Sequence, residues 1–153
     1  MVFIMDNFEG KEKSFNPEEK SFKLGMIEAF CEVVAQEIKP LALSPIMNKE
    51  QWDTIRPAVE AVSSKYNVKS YTETNFMPSD FVADEALMEK IVILFYKQEK
   101  ILQSYFDLKL ETERLRSSGL YDEAQRKNTS IALRRLLGYS ENAITEHYCA
   151  KGR

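Results

Sequence analysis

Residues 90–97 read KIVILFYK, six consecutive apolar or aromatic side chains from Ile91 to Tyr96 held between two lysines. A membrane span takes about 18 or more apolar residues, so this run is too short to cross a bilayer. It is either a buried strand or the middle of one long helix, and the fold turns on which. A helix here would extend from about residue 80 to 117, and Leu87, Ile91, Leu94, Ile101, Tyr105, Leu108 and Leu115 permit it. Such a helix is far longer than the average of about 11–12 residues. The run is also apolar all round, whereas both flanks are amphipathic. Its isoleucines, valine and paired aromatics are strand chemistry. We read it as a core strand, with an all-α chain carrying the 80–117 helix as the alternative.

A partner strand stands upstream. VKSYTET, residues 68–74, is short, β-branched and alternating, which suits a half-exposed strand. The rest of the chain reads as helix. Asn16 caps a first helix with Pro17 at its first position, and Leu24, Ile27, Phe30, Cys31, Val34 and Ile38 form its apolar stripe up to Pro40. Asn48 and Gln51 make a capping box for a second, whose stripe is Trp52, Ile55, Val59, Val62 and Tyr66. Pro57 falls inside that pattern and predicts a kink or a break. Asn67 suits the left-handed residue that ends it. Ser79 is placed to cap a short helix through DFVADEALMEK. Further helices close at Gly119 and Gly138, and Ser140 caps the last, with Tyr139 and Ile144 placed as a hydrophobic staple. The expected fold is mainly α: five or six helices with a small two-stranded antiparallel element pairing 68–74 with 91–96. It forms a single domain over residues 17–150 behind an N-terminal arm, residues 1–16. In the arm EKSF occurs twice and Phe8, Phe15 and Phe22 are spaced by sevens, but Gly10 and Pro17 interrupt any helix through all three.

The whole chain has 153 residues, 44% of them hydrophobic, with net charge −3. That length can hold its own core without metal or disulfide. The acidic total weighs against a broad nucleic-acid or membrane surface. The start, MVFIMDNFEG, has no basic stretch and no small-residue cleavage site. Cys31 and Cys149 lie far apart and read as two free thiols in a reducing cytoplasm.

Few residue patterns carry chemistry. LRRLLGYSENAITEH has the rhythm of a helix-turn-helix, with Leu133, the turn glycine Gly138, Ser140 and the apolar anchor Ile144. Arg126, Lys127, Arg134 and Arg135 would be its nucleic-acid contacts. Arg134, however, stands where such a turn needs a small residue, and Glu141 and Glu146 would face phosphates. A capped helical hairpin gives the same pattern without DNA. In EHYC, His147 and Cys149 are two apart and point away from each other on a helix, and a tetrahedral zinc would need two more ligands. Paired carboxylates fall at helix starts or on solvated faces. No phosphate loop, HExxH or CxxC occurs. Neither metal nor cofactor is expected, and nothing marks the chain as an enzyme.

The C-terminal half resembles a conserved archaeal and prokaryotic family of proteins of unknown function. The likeness lies in the order of an apolar run ending FYK, a helix with YFDLK, then GLYDEA and RRLLGYSENAI. Ser140, Glu141 and Asn142 stand where that family carries a proline and cysteines, so a thiol-dependent role does not carry over. The resemblance implies a cytosolic prokaryotic protein and a strand at the apolar run, and no activity. The functional expectation is a non-catalytic binding or interaction module that forms a homo-oligomer, a dimer first of all. Alternatives are a nucleic-acid-binding regulator built on the Gly138 hairpin and a small-molecule domain with a pocket of Trp52, Tyr71, Tyr96 and Tyr105.

Overall fold

The structure is a computed structural model and describes residues 16–151, with side chains to residue 150. The arm and its phenylalanine repeat therefore lie outside the described residues, apart from Asn16 and Phe22. The elements run α1 (Pro17–Ala35), β1 (Leu41–Leu43), α2 (Lys49–Lys65), β2 (Lys69–Glu73), α3 (Asp84–Leu87), β3 (Val92–Tyr96), α4 (Glu99–Ser117), α5 (Glu123–Leu136) and α6 (Glu141–Lys151). The chain is mainly helical with a small antiparallel sheet. No helix among the described residues is long and apolar enough to cross a membrane.

The apolar run is β3, the central strand. The order is β1-β3-β2, both pairings antiparallel. β2 lies along β3 with Lys69 opposite Tyr96 and Glu73 opposite Val92. The two-stranded element expected from sequence is thus three-stranded: β1 supplies the other edge, Leu41 opposite Tyr96 and Leu43 opposite Leu94. A second subunit is not needed there. The ladder continues past β1, with the Ser44 N–H donating to the Ile93 carbonyl and Met47 bridging Ile91. The long-helix alternative over 80–117 fails, because the chain is extended through Tyr96 and α4 begins only at Glu99.

Helices on both faces explain why the run is apolar all round. Ile91, Ile93 and Phe95 face one cluster with Ile27, Cys31 and Val34 of α1 and Trp52, Ile55 and Val59 of α2. Val92, Leu94 and Tyr96 face the other, with Leu102 and Tyr105 of α4 and Leu133 and Leu137 at the end of α5. A strand covered on both faces cannot alternate apolar with polar. Each such side chain stabilises the fold by about 1.5–3 kcal/mol.

Helix ends follow the capping chemistry. Asn16 and Asn48 accept from Glu18 and Gln51, and the Asn48–Gln51 box is complete. Asn67 and Gly119 take the left-handed conformation after α2 and α4. So does Glu37, which ends α1 before Pro40 and turns Ile38 outward, 70% exposed rather than part of the stripe. α2 runs unbroken through Pro57. That residue is on the solvent side, where water can satisfy the carbonyl that its missing N–H releases. Ser79 does not cap a helix: its Oγ accepts from the Phe81 N–H in a local turn, and only Asp84–Leu87 becomes helical.

Candidate functional site

α5 and α6 form a tight hairpin. Gly138, at φ +88°, closes α5, and its N–H and that of Tyr139 donate back to the carbonyls of Arg135 and Arg134. Ser140 Oγ then accepts from the Ala143 N–H to start α6. A Cβ on Gly138 would lie 3.2 Å from Pro40 Cδ, so this turn also seats the chain that enters β1.

Beneath the hairpin lies the most tightly connected polar group of this face. Arg134 is 4% exposed. Its Nη1 donates to Asp80 Oδ1 at 2.6 Å and to Tyr148 Oη at 3.2 Å, and its guanidinium lies 4.0 Å from the centre of the Phe81 ring. Nη2 stands 2.9 Å from His147 Nε2. A guanidinium can only donate, so in this contact Nε2 is the acceptor. Tyr148 Oη donates to Asp80 Oδ2 at 2.6 Å. Burial, then the hydrogen bond to Asp80, pushes the Tyr148 hydroxyl up to about 12. An open depression of about 500 Å³ lies over this group, lined by Phe81, Arg134, Tyr139, Ala143, Glu146 and His147.

The other basic residues of the hairpin are also engaged. Arg126 pairs with both Asp84 oxygens, at 3.2 and 3.3 Å, and donates to the Ser79 carbonyl. Arg135 forms a two-point pair with Glu141, at 2.7 and 3.2 Å. Lys127 lies over the Tyr148 ring, 5.0 Å from its centre. Arg134 and Lys127 therefore meet around Tyr148, while Arg126 and Arg135 turn to carboxylates of their own. The residues that sequence reasoning missed are Asp80 and Phe81, in a stretch read as the start of a short helix capped by Ser79. The signal was Arg134 itself: an arginine on the inner side of a helical hairpin requires a carboxylate.

The four aromatic residues do not line one pocket. Trp52 packs on the α1–α2 face of the sheet, and Tyr71, Tyr96 and Tyr105 on the α4–α5 face. Tyr105 is a core lock. Its Oη donates to Glu73 Oε2 at 2.8 Å and accepts from the Met77 N–H at 3.3 Å. Lys109 Nζ lies 2.9 Å from the same oxygen, and the Asn75 N–H donates to Glu73 Oε1. This set satisfies a carboxylate that is only 2% exposed. Burial and the Glu73 charge raise the Tyr105 pKa strongly. Tyr71 meets Phe106 edge-on at 5.0 Å. The two cysteines are free: Cys31 is buried and Cys149 exposed. Among the described residues no group of three or more His, Cys, Asp or Glu could hold a metal ion.

One surface offers unused hydrogen-bonding groups. Ser44 and Met47 bond to Ile93 and Ile91, so the odd-numbered residues of β3 point their backbone groups at β1. The even-numbered ones, Val92, Leu94 and Tyr96, then point at Glu73, Tyr71 and Lys69 of β2. That leaves the N–H and C=O of Ser70 and Thr72 directed outward along the free edge of β2, and both residues are exposed. On the side of α4 that carries Phe106, Leu110 follows one turn later and is 70% exposed. Compared with protein-family models, curated proteins and solved structures, the chain matches none.

Proposed function

We propose that the protein is a non-catalytic interaction module that assembles as a homodimer through the free edge of β2. The observation that supports this reading is the self-complementarity of Lys69–Glu73. In an antiparallel pairing centred on Tyr71, Ser70 faces Thr72 of a second copy, and these are the residues whose backbone groups point outward. The two Ser70–Thr72 pairs would close four backbone hydrogen bonds. Lys69 falls opposite Glu73 of the second copy, so no like charges meet. The joined sheet would have six strands, and Leu110 would come under cover beside the new seam. Exposed strand edges are templates for such pairing.

A nucleic-acid role is the weaker reading, because Arg126, Arg134 and Arg135 each already hold a carboxylate. The two reduced cysteines suit a reducing compartment such as the cytoplasm.

Sedimentation velocity over a range of concentrations tests the proposal. Wild type should shift from monomer to dimer. Thr72→Pro removes one outward donor while sparing the β2–β3 ladder, and should hold the chain monomeric with an unchanged circular dichroism spectrum. A wild type that stays monomeric throughout would sink the reading.

A further inference from the structure

We propose that the cleft between the end of α1 and the start of α4 binds a phosphoryl anion, held by Lys39, Lys97 and Lys100. The cleft encloses about 200 Å³, and Glu37, Gln98 and Pro40 also line it. Three lysines against one glutamate leave a surplus of two positive charges, in a chain whose net charge is −3.

These lysines differ from most others in the fold. Lys49, Lys65, Lys69 and Lys109 each hold a carboxylate. Lys97 instead donates to the Ala35 carbonyl at 3.2 Å. Lys39 lies over the Tyr139 ring, 5.5 Å from its centre. Neither they nor Lys100 has a carboxylate within ion-pair reach among the described residues. The one carboxylate in the cleft, Glu37, accepts from Gln98 Nε2 at 3.2 Å rather than from a lysine. Burial lowers the Lys39 pKa, the effect of removing an ammonium from water without a counter-charge. An anion in the cleft supplies that counter-charge.

The position of Lys39 is fixed by the fold. Glu37 turns the chain through its left-handed conformation, and Gly138 packs against Lys39 and Pro40 from below. On the opposite wall α4 begins at Glu99 with no side chain capping it, so the N–H groups of its first turn add a partial positive charge on the same side. Three separate ammonium groups suit the tetrahedral array of oxygens on a phosphate better than a single flat carboxylate.

Isothermal titration of the full chain with inorganic phosphate and with pyrophosphate tests the site. Pyrophosphate should bind saturably and more tightly than phosphate. Lys39→Gln and Lys100→Gln should each weaken it about tenfold, Glu37→Gln should tighten it, and Lys127→Gln, outside the cleft, should leave it unchanged. Vesicles with and without phosphatidic acid, run in parallel, distinguish a lipid headgroup from a free phosphate; lysine-dependent binding of either supports the cleft. The proposal falls if none of the three probes binds saturably. It also falls if binding survives the two cleft lysine substitutions unchanged, or if Glu37→Gln weakens it.

Discussion

Replacing Arg134 by methionine should be among the most damaging single changes on the helical hairpin, and replacing its neighbour Arg135 among the mildest. The Arg134–Asp80 pair is 2.6 Å long, with side chains 5% and 18% exposed. Removing one member of a buried pair strands the other, at a cost of about 3–5 kcal/mol. Asp80 would keep the Tyr148 hydroxyl at 2.6 Å, which places Arg134→Met near the lower end, about 3 kcal/mol. Asp80→Asn should cost at least as much, because it leaves the more deeply buried guanidinium without its counter-charge. Arg135 and Glu141 are 56% and 69% exposed, and solvent screens their pairing. Urea unfolding followed by circular dichroism separates the two. With a slope of about 1.5 kcal/mol/M, Arg134→Met moves the midpoint down by about 2 M, whereas Arg135→Gln leaves it in place. The Asp80→Asn/Arg134→Met double variant should cost less than the sum of the singles. Comparable midpoint shifts for Arg134→Met and Arg135→Gln, or strict additivity in the double variant, would refute a buried structural role for Arg134.

Gly138→Ala forces a Cβ into the left-handed region and against Pro40, and should cost about 1–3 kcal/mol. Gly119→Ala, at φ +72° with nothing within 4 Å, carries only the conformational part, so its melting temperature should fall less. Cys31 is wholly buried, and burial pushes its thiol up to about 12 from an ordinary 9.0. A thiol reagent should therefore titrate one cysteine in the native protein, Cys149, and two in denaturant. The same shift makes the native state hold a proton that the unfolded chain loses. Stability is fully present below about pH 9 and is lost as pH rises towards about 12. Tyr148 acts in the same sense from about 10 to about 12. An alkaline unfolding curve flat across that window would contradict both assignments.

The legible part of the fold was the part whose residues carry their own reasons. β3 showed itself because a strand covered on both faces must be apolar at every position, and β2 because Tyr71 alternates with the exposed Ser70 and Thr72. The Asn48 cap and the glycines at 119 and 138 were equally local. β1 was not legible: three residues, Leu-Ala-Leu, between Pro40 and Pro45 have weak strand preference and owe their conformation to pairing with β3. The outward turn of Ile38 depended on Glu37 adopting a backbone conformation that its side chain gives no reason to expect. At the hairpin, sequence marked four basic residues but could not show where each of them points. Their carboxylate partners come from as far as 54 positions away, as in Asp80 with Arg134. Trp52 and Tyr105 looked alike as pocket aromatics, and only the sheet between them reveals that they belong to opposite faces.

Oxidative cross-linking at Tyr71 tests the edge-pairing register most directly. In a Cys149→Ser background, Tyr71→Cys places a thiol on the two-fold axis of the proposed pairing, opposite its own copy in a non-hydrogen-bonded pair, where side chains come closest. Thr74→Cys serves as the control, because residue 74 faces residue 68 of the second copy and lies about 20 Å along the strand from its own counterpart at about 3.4 Å per residue. The account predicts a covalent dimer from Tyr71→Cys under mild oxidation and monomer from Thr74→Cys. Monomer from both, or equal cross-linking at the two positions, would contradict it.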